Sequence, residues 1–182
     1  FLGNVAGGET VFGAPEDISI DDFEQSIKSL VTGRFLMCQE AGKRMLAQGT
    51  GSIVNIGSIG GVSSLGRGQI AYFAAMGAVV QMVRGLATEW ASRGVRVNAI
   101  LPAQVLNPGL SERIDNTPEV LDTFLRGIPA GRMGQPDDIR GLSVLLASDA
   151  SAWITGALIP MDGGNLALNA GGSYPGSPSA SG

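Results

Sequence analysis

Apolar positions along the chain alternate between two textures. Short, β-branched runs at Ser52–Ile56 and Arg96–Leu101, with Phe1–Val5 and Ala157–Met161 at either end, read as strands buried on both faces of a parallel sheet. Between them lie longer stretches with apolar residues three and four apart. Phe23, Ile27, Leu30, Val31 and Phe35 keep this spacing to about Met45, with Ser19 as N-cap and Asp21 and Asp22 at the positive end of the helix. Ala75, Met76, Val79, Met82, Val83, Leu86 and Trp90 form a second helical stripe, entered at Tyr72. Leu110 to Gly131 reads as a helical flap with Pro118 near a helix start, and Pro136-Asp137-Asp138-Ile139 opens a further helix through Leu142, Leu145 and Leu146. Strands alternating with helices predict an α/β fold, a doubly wound parallel sheet with helices on both faces.

The stretch from Gly51 to Trp90 holds the candidate chemistry. Ligands of open α/β sheets bind beyond the carboxyl ends of the strands, which is where Ser58 follows the run Ser52–Ile56. Tyr72 and Met76 lie one turn apart on one face of the following helix.

Composition narrows the function. A chain of 182 residues with 44% hydrophobic residues can bury one good core, so one domain is expected. The net charge of −4, with its basic residues scattered, argues against a nucleic-acid or anionic-membrane partner. No stretch approaches the roughly 20 uncharged apolar residues of a membrane span, and no secretory signal is visible, so a cytoplasmic protein is expected. The single cysteine, Cys38, excludes an internal disulfide and reads as a buried, inert thiol. The chain has no histidine, which removes Ser-His-Asp and Cys-His catalysis and the commonest zinc ligand; no metal site is expected. Acid/base work falls to Tyr, carboxylates or Lys, and the two lysines, Lys28 and Lys43, are both distant from Tyr72 in sequence.

Four segments resemble one family in order. Asn4-Val5-Ala6-Gly7 resembles its Asn-Asn-Ala-Gly turn after the fourth strand. Ser58 followed by Tyr72-Phe73-Ala74-Ala75-Met76 is similar to its strand-end Ser and helical Tyr-x-x-x-Lys. Gly94 to Ile100 resembles the sixth strand, and Ile154-Thr155-Gly156 with Met161-Asp162-Gly163-Gly164 resembles the closing strand. The chain thus resembles the later two-thirds of a short-chain dehydrogenase/reductase, one of the NAD(P)-dependent oxidoreductases built on a Rossmann sheet. The resemblance covers residues 1–164, implying a Rossmann-like domain whose N-terminal strands, with their Gly-x-Gly-x-x-Gly phosphate turn, are missing; residues 165–182 are low-complexity and expected to be disordered.

The resemblance implies Tyr72 as general acid or base and Ser58 as the hydroxyl orienting a ketone or secondary alcohol, with polyols and sugar derivatives within the family's range. It implies NAD or NADP as cofactor, contacted by Asn4, Val5, Ala6, Gly7, Tyr72, Met76, Pro102, Ala103, Val105 and Asn107. A homo-oligomer, dimer or tetramer, through the Tyr72 helix and its predecessor is also implied.

The departures bear on turnover. The family's Lys is Met76, its relay-water Asn is Leu30, the Gly of a Pro-Gly pair is Ala103, and a Thr is Asn107, whose amide still offers a donor and an acceptor. In the family the Lys lowers the tyrosine pKa and binds the nicotinamide ribose. A phenol ordinarily near 10 is only about 0.1% ionised at pH 7, and full ionisation is worth about 4 kcal/mol, which a thioether cannot supply. Neither Arg67 nor Arg84 has the spacing to substitute. Two readings stay open: an oxidoreductase whose constellation is reduced to Ser58 and Tyr72, favoured by ancestry, and a non-catalytic relative keeping the fold as a binding or assembly module.

Overall fold

The computed structural model describes residues 1–5, 8, 11–64 and 68–168. Ala6 and Gly7 of the expected turn, Arg67, and the tail from residue 169 lie outside the described residues. Strands β1 (Leu2–Asn4), β2 (Gly51–Ile56), β3 (Val95–Pro102) and β4 (Leu158–Met161) form one sheet in the order β1-β2-β3-β4, every pair parallel. This is the Rossmann-like arrangement expected, each strand within two residues of its predicted bounds.

Helix α1 (Ile20–Ile27) starts at Ser19, whose Oγ accepts from the Asp22 N–H at 3.1 Å. The single helix expected from here to about Met45 is not uniform. Lys28–Thr32 forms a π turn between α1 and α2 (Gly33–Gln48), and no residue pattern announces it. Helix α3 (Ile70–Trp90) leads into β3 through Gly94, at φ +83, and Gly49 ends α2 at φ +71. A Cβ on Gly94 would fall 2.0 Å from the Gly49 carbonyl oxygen, so only glycine fits that turn. Helices α4 (Pro108–Asn116) and α5 (Glu119–Leu125) make the flap, and α6 (Arg140–Ala147) precedes β4.

Strand alternation divides the core. Ile53, Val95, Val97, Ala99 and Leu101 face α2 and α3, packing on Cys38, Met45, Val80, Val83 and Ala87. Val54, Ile56 and Ile100 face the other way, onto Leu142 and Leu146 of α6. Helices therefore cover both faces. Helices α2 and α3 meet closely at Gly42, where a Cβ would lie 2.5 Å from the Trp90 ring.

Contrary to the sequence reading, α3 is long and apolar enough, by length and composition, to cross a bilayer. Its apolarity has a different cause here: Ala71, Ala75, Met76, Val79, Val80, Val83 and Ala87 are buried, contributing to the packing with the sheet and α1.

Side chains of β3 seat the closing strand. The Asn98 amide is buried, donating to the Ile154 carbonyl at 2.9 Å and accepting from the Ala157 N–H at 3.0 Å. Arg96 donates to the carbonyls of Leu146, Ser148 and Ile154, and Thr155 Oγ1 accepts from the Val97 N–H. Beyond β4 the Asp162 carboxylate accepts from the N–H groups of Gly164 and Leu166, and Asn165 donates to the Gly127 carbonyl. The exits of β2, β3 and β4 thus share one edge of the molecule.

Candidate active site

Ser58, two residues beyond β2, caps the short turn Ile59–Gly61, its Oγ accepting from the Gly60 N–H at 3.0 Å. That turn lies against α3. A Cβ on Gly61 would come within 2.6 Å of the Met76 carbonyl oxygen, so glycine permits a contact that fixes Ser58 against the helix holding Tyr72. Ser58 and Tyr72 line one cleft of about 400 Å³, together with Phe12, Gln69, Gln104 and Arg113. Tyr72 is half-buried, its ring edge-on to Phe73 with centroids 6.0 Å apart. Its hydroxyl makes no hydrogen bond to a described residue.

Gln69, Gln104 and Arg113 are cleft residues that the sequence did not single out. For Gln104 the only signal was its place directly after Pro102-Ala103. Its Oε1 is buried without a partner among the described residues, and the residue also lines a second cleft of about 340 Å³ with Arg132 and Asp162. At its edge Arg132 grips Asp138 in a fork of 2.8 and 3.0 Å. Those bonds, with one from the Gln135 N–H, hold the Asp138 carboxyl down to about 2.

The remaining candidates divide. Val5 is exposed at the end of β1, and Pro102, Ala103 and Val105 lie half-buried along the β3 exit. The Asn107 side chain is engaged by its own helix: Oδ1 accepts from the Leu110 N–H at 3.0 Å and Nδ2 donates to the Val105 carbonyl at 3.3 Å. Asn4 is buried behind the site, its Nδ2 donating to the Arg34 carbonyl and Asn55 Oδ1, each at 3.0 Å. Met76 is outside the cleft. At 1% exposure it packs with Leu30, at 2%, in an apolar cluster with Ala75 and Val79, against Tyr72. The two apolar replacements, distant in sequence, are thus one packing unit.

Beside that cluster lies a buried cation. Arg34, one turn beyond Leu30, is 5% exposed; Nη1 donates to the Leu30 carbonyl at 2.5 Å, Nη2 to the Ile56 carbonyl at 3.2 Å, and Nε has no partner among the described residues. Burial pushes its pKa down, opposed by the charges that Tyr72 and Cys38 carry when ionised. Burial pushes the Cys38 thiol up, against its hydrogen bonds with Asn55, to which it donates, and Asn4, from which it accepts, and the nearby Arg34 charge.

A family model described as enoyl-(acyl carrier protein) reductase matches residues 1–165. The chain belongs to the short-chain dehydrogenase/reductase family. Among its curated relatives, D-threitol dehydrogenase of Mycolicibacterium smegmatis is 42% identical over 149 residues, 82% of this chain and 56% of that protein. Galactitol 2-dehydrogenase (L-tagatose-forming) of Cereibacter sphaeroides is 43% identical over 136 residues, 74% of this chain and 53% of that protein. A solved gluconate 5-dehydrogenase from Burkholderia cenocepacia, in complex with NADP and tartrate, superposes with a TM-score of 0.84 at 27% identity, over 91% of this chain and 65% of its own. The chain spans little more than half the length of these curated dehydrogenases.

Proposed function

We propose that this chain carries the substrate half of an NAD(P)-dependent oxidoreductase acting on a secondary alcohol or ketone of a polyol or sugar derivative. The observation that carries the reading is the convergence of Ser58 and Tyr72 on one cleft with a polar rim. The Ser58 oxygen accepts from the Gly60 N–H, which leaves its own hydroxyl proton free to hold a substrate oxygen. The Tyr72 hydroxyl then gives a proton to that oxygen in reduction, or takes one in oxidation. Gln69, Gln104 and Arg113 suit a substrate with several hydroxyls or a carboxylate. The curated relatives oxidise threitol and galactitol by name, and the gluconate dehydrogenase was solved with NADP.

A bound nicotinamide would accept or supply the hydride. The residues present fit that end of the cofactor: the unpartnered Gln104 Oε1 can accept from an amide, beside Pro102, Ala103 and Val105 at the β3 exit. Tyr72, Val5 and Asn107 would border it, Asn4 would support the β1 end, and Met76 would act only through packing. No Gly-x-Gly-x-x-Gly turn stands in this sequence to cradle the phosphates.

Exposed Phe35, Leu36 and Met37 on α2 support self-association as a dimer or tetramer, and the unpaired Cys38 suits a reducing, cytoplasmic setting. The burial of Met76 and Leu30 as one apolar unit favours the second reading, a non-catalytic binding or assembly module. Assaying the full chain with NAD⁺ and NADP⁺ against polyols and sugar acids, beside Tyr72→Phe and Ser58→Ala, separates the two. Turnover falling about 10²-fold or more in each variant is expected; turnover unchanged in both variants would count against the site, and binding of a polyol with no turnover would favour the binding module.

A further inference from the structure

We propose that the ligand of this site is a sugar acid, a polyhydroxylated carboxylate, and that Arg113 on α4 selects it over a neutral polyol. That the acid is turned over rests on the oxidoreductase reading; its capture by Arg113 does not.

Among the described residues Arg113 is the one charged side chain lining the cleft of Ser58 and Tyr72, and no Asp or Glu joins it. This runs against the bias of the chain, in which 16 acids outnumber 12 bases. Helical spacing explains the placement. Gly109, Leu110 and Arg113 fall at positions i, i+1 and i+4 of α4 and all line the cleft, so one face of the helix is turned to it. A helical side chain leans back over the preceding turn. In front of Arg113 that turn holds Gly109, where an added Cβ would meet only Asn107 Oδ1, 3.7 Å away. The guanidinium therefore has an open path along the rim of the cleft.

Its charge is left for a ligand. The Arg113 side chain makes no hydrogen bond or ion pair to a described residue. The positions one turn away are Gly109, Leu110, Asn116 and Thr117, none of them acidic. Asp115, two residues on, lines an apolar groove with Leu121 and Leu125 instead. The neighbouring cleft, across Ala103 and Gln104, has the opposite character: Arg132 is taken up there by the Asp138 fork, and Asp162 adds a second carboxylate. An anion is thus drawn to one cleft and not to the other. An arginine in the last turn also complements the helix dipole, but that role needs no polar company. Here Gln69 and Gln104 stand in the same cleft, amides that both donate and accept, as the hydroxyls of a sugar acid require. The planar guanidinium offers a carboxylate two parallel N–H donors, and a cleft of about 400 Å³ is of small-ligand size. Held at that end, the acid presents the carbinol carbons of its chain to Ser58 and Tyr72.

Titration calorimetry of the full chain, with and without NADP⁺, compares D-gluconate with D-glucitol, which differ only in a carboxylate against a hydroxymethyl group. Gluconate should bind about 10-fold or more tightly at low salt, and the margin should narrow as salt is raised. Arg113→Met should abolish the margin and Arg113→Lys should keep part of it; the residue is exposed, so both variants should fold. Equal affinities in the parent protein, a margin that survives in Arg113→Met, or binding of neither compound in either condition overturns the proposal. So does displacement of gluconate by an equal concentration of acetate, which would make Arg113 a general anion site that ignores the hydroxyls. Turnover assays on the same pair keep the two ideas apart. Preferential binding of gluconate without turnover leaves the role of Arg113 standing and removes the oxidoreductase; turnover of glucitol in preference to gluconate does the reverse.

Discussion

Met76 and Leu30 meet inside the protein, and this changes what restoring the family's residues would do. Met76→Lys alone places an ammonium at a site 1% exposed, among apolar side chains. Denaturant titration should show a loss of about 3 kcal/mol, the order of an unpaired buried charge. Adding Leu30→Asn supplies a polar neighbour in the same cluster and should recover part of it; strictly additive losses would mean the two sites do not couple. Asp138 gives a separate expectation. Its carboxyl is held near 2, below the ordinary value of about 4, so its contribution is complete above pH 4 and lost as pH falls through 2. Amide exchange at Gln135, whose N–H it accepts at 2.8 Å, should lose protection over that window, and in Asp138→Asn the pH step should vanish. Ser58 and Tyr72 were legible in the sequence because their chemistry travels with local spacing. Arg34 was not, since a charge on a helix reads as a solvated face, and only the fold shows that the end of β2 covers it.

At the scale of elements, the four strands were readable because parallel strands buried on both faces leave continuous β-branched runs. The π turn was not, as nothing in Lys28-Ser29-Leu30-Val31-Thr32 distinguishes a five-residue from a four-residue hydrogen-bond step; tertiary packing selects it. The cleft's position depends on one close approach, that of the Ser58 turn to α3. Gly61→Ala would bring a methyl within 2.6 Å of a backbone carbonyl, and the turn must move because α3 cannot. A loss of about 1–3 kcal/mol in stability is expected. If the site is catalytic, kcat should fall about 10²-fold through misplacement of Ser58, while Gly33→Ala, a helical position where the added Cβ meets no neighbouring element, should leave kcat unchanged and raise stability by up to about 1 kcal/mol. Equal effects of the two substitutions would show that the turn's seat is unimportant.

At the scale of the molecule, β1 is an edge of the described sheet and α2 presents Phe35, Leu36 and Met37 to solvent. Sedimentation should show association that Met37→Glu, 50% exposed and free of core contacts, shifts toward smaller species without loss of helix content. An unchanged mass would place any interface elsewhere. The two tryptophans are placed at opposite extremes, and this equips the protein optically. Trp153 is fully exposed, whereas Trp90 is wedged over Gly42 where α2 and α3 touch. In the intact molecule Trp153 should emit at long wavelength and yield to iodide, and Trp90 should emit at shorter wavelength and resist it. Separation of the two helices would turn the second emitter into a copy of the first, so a Trp153→Phe protein would signal the parting of this helix pair as a single colour change.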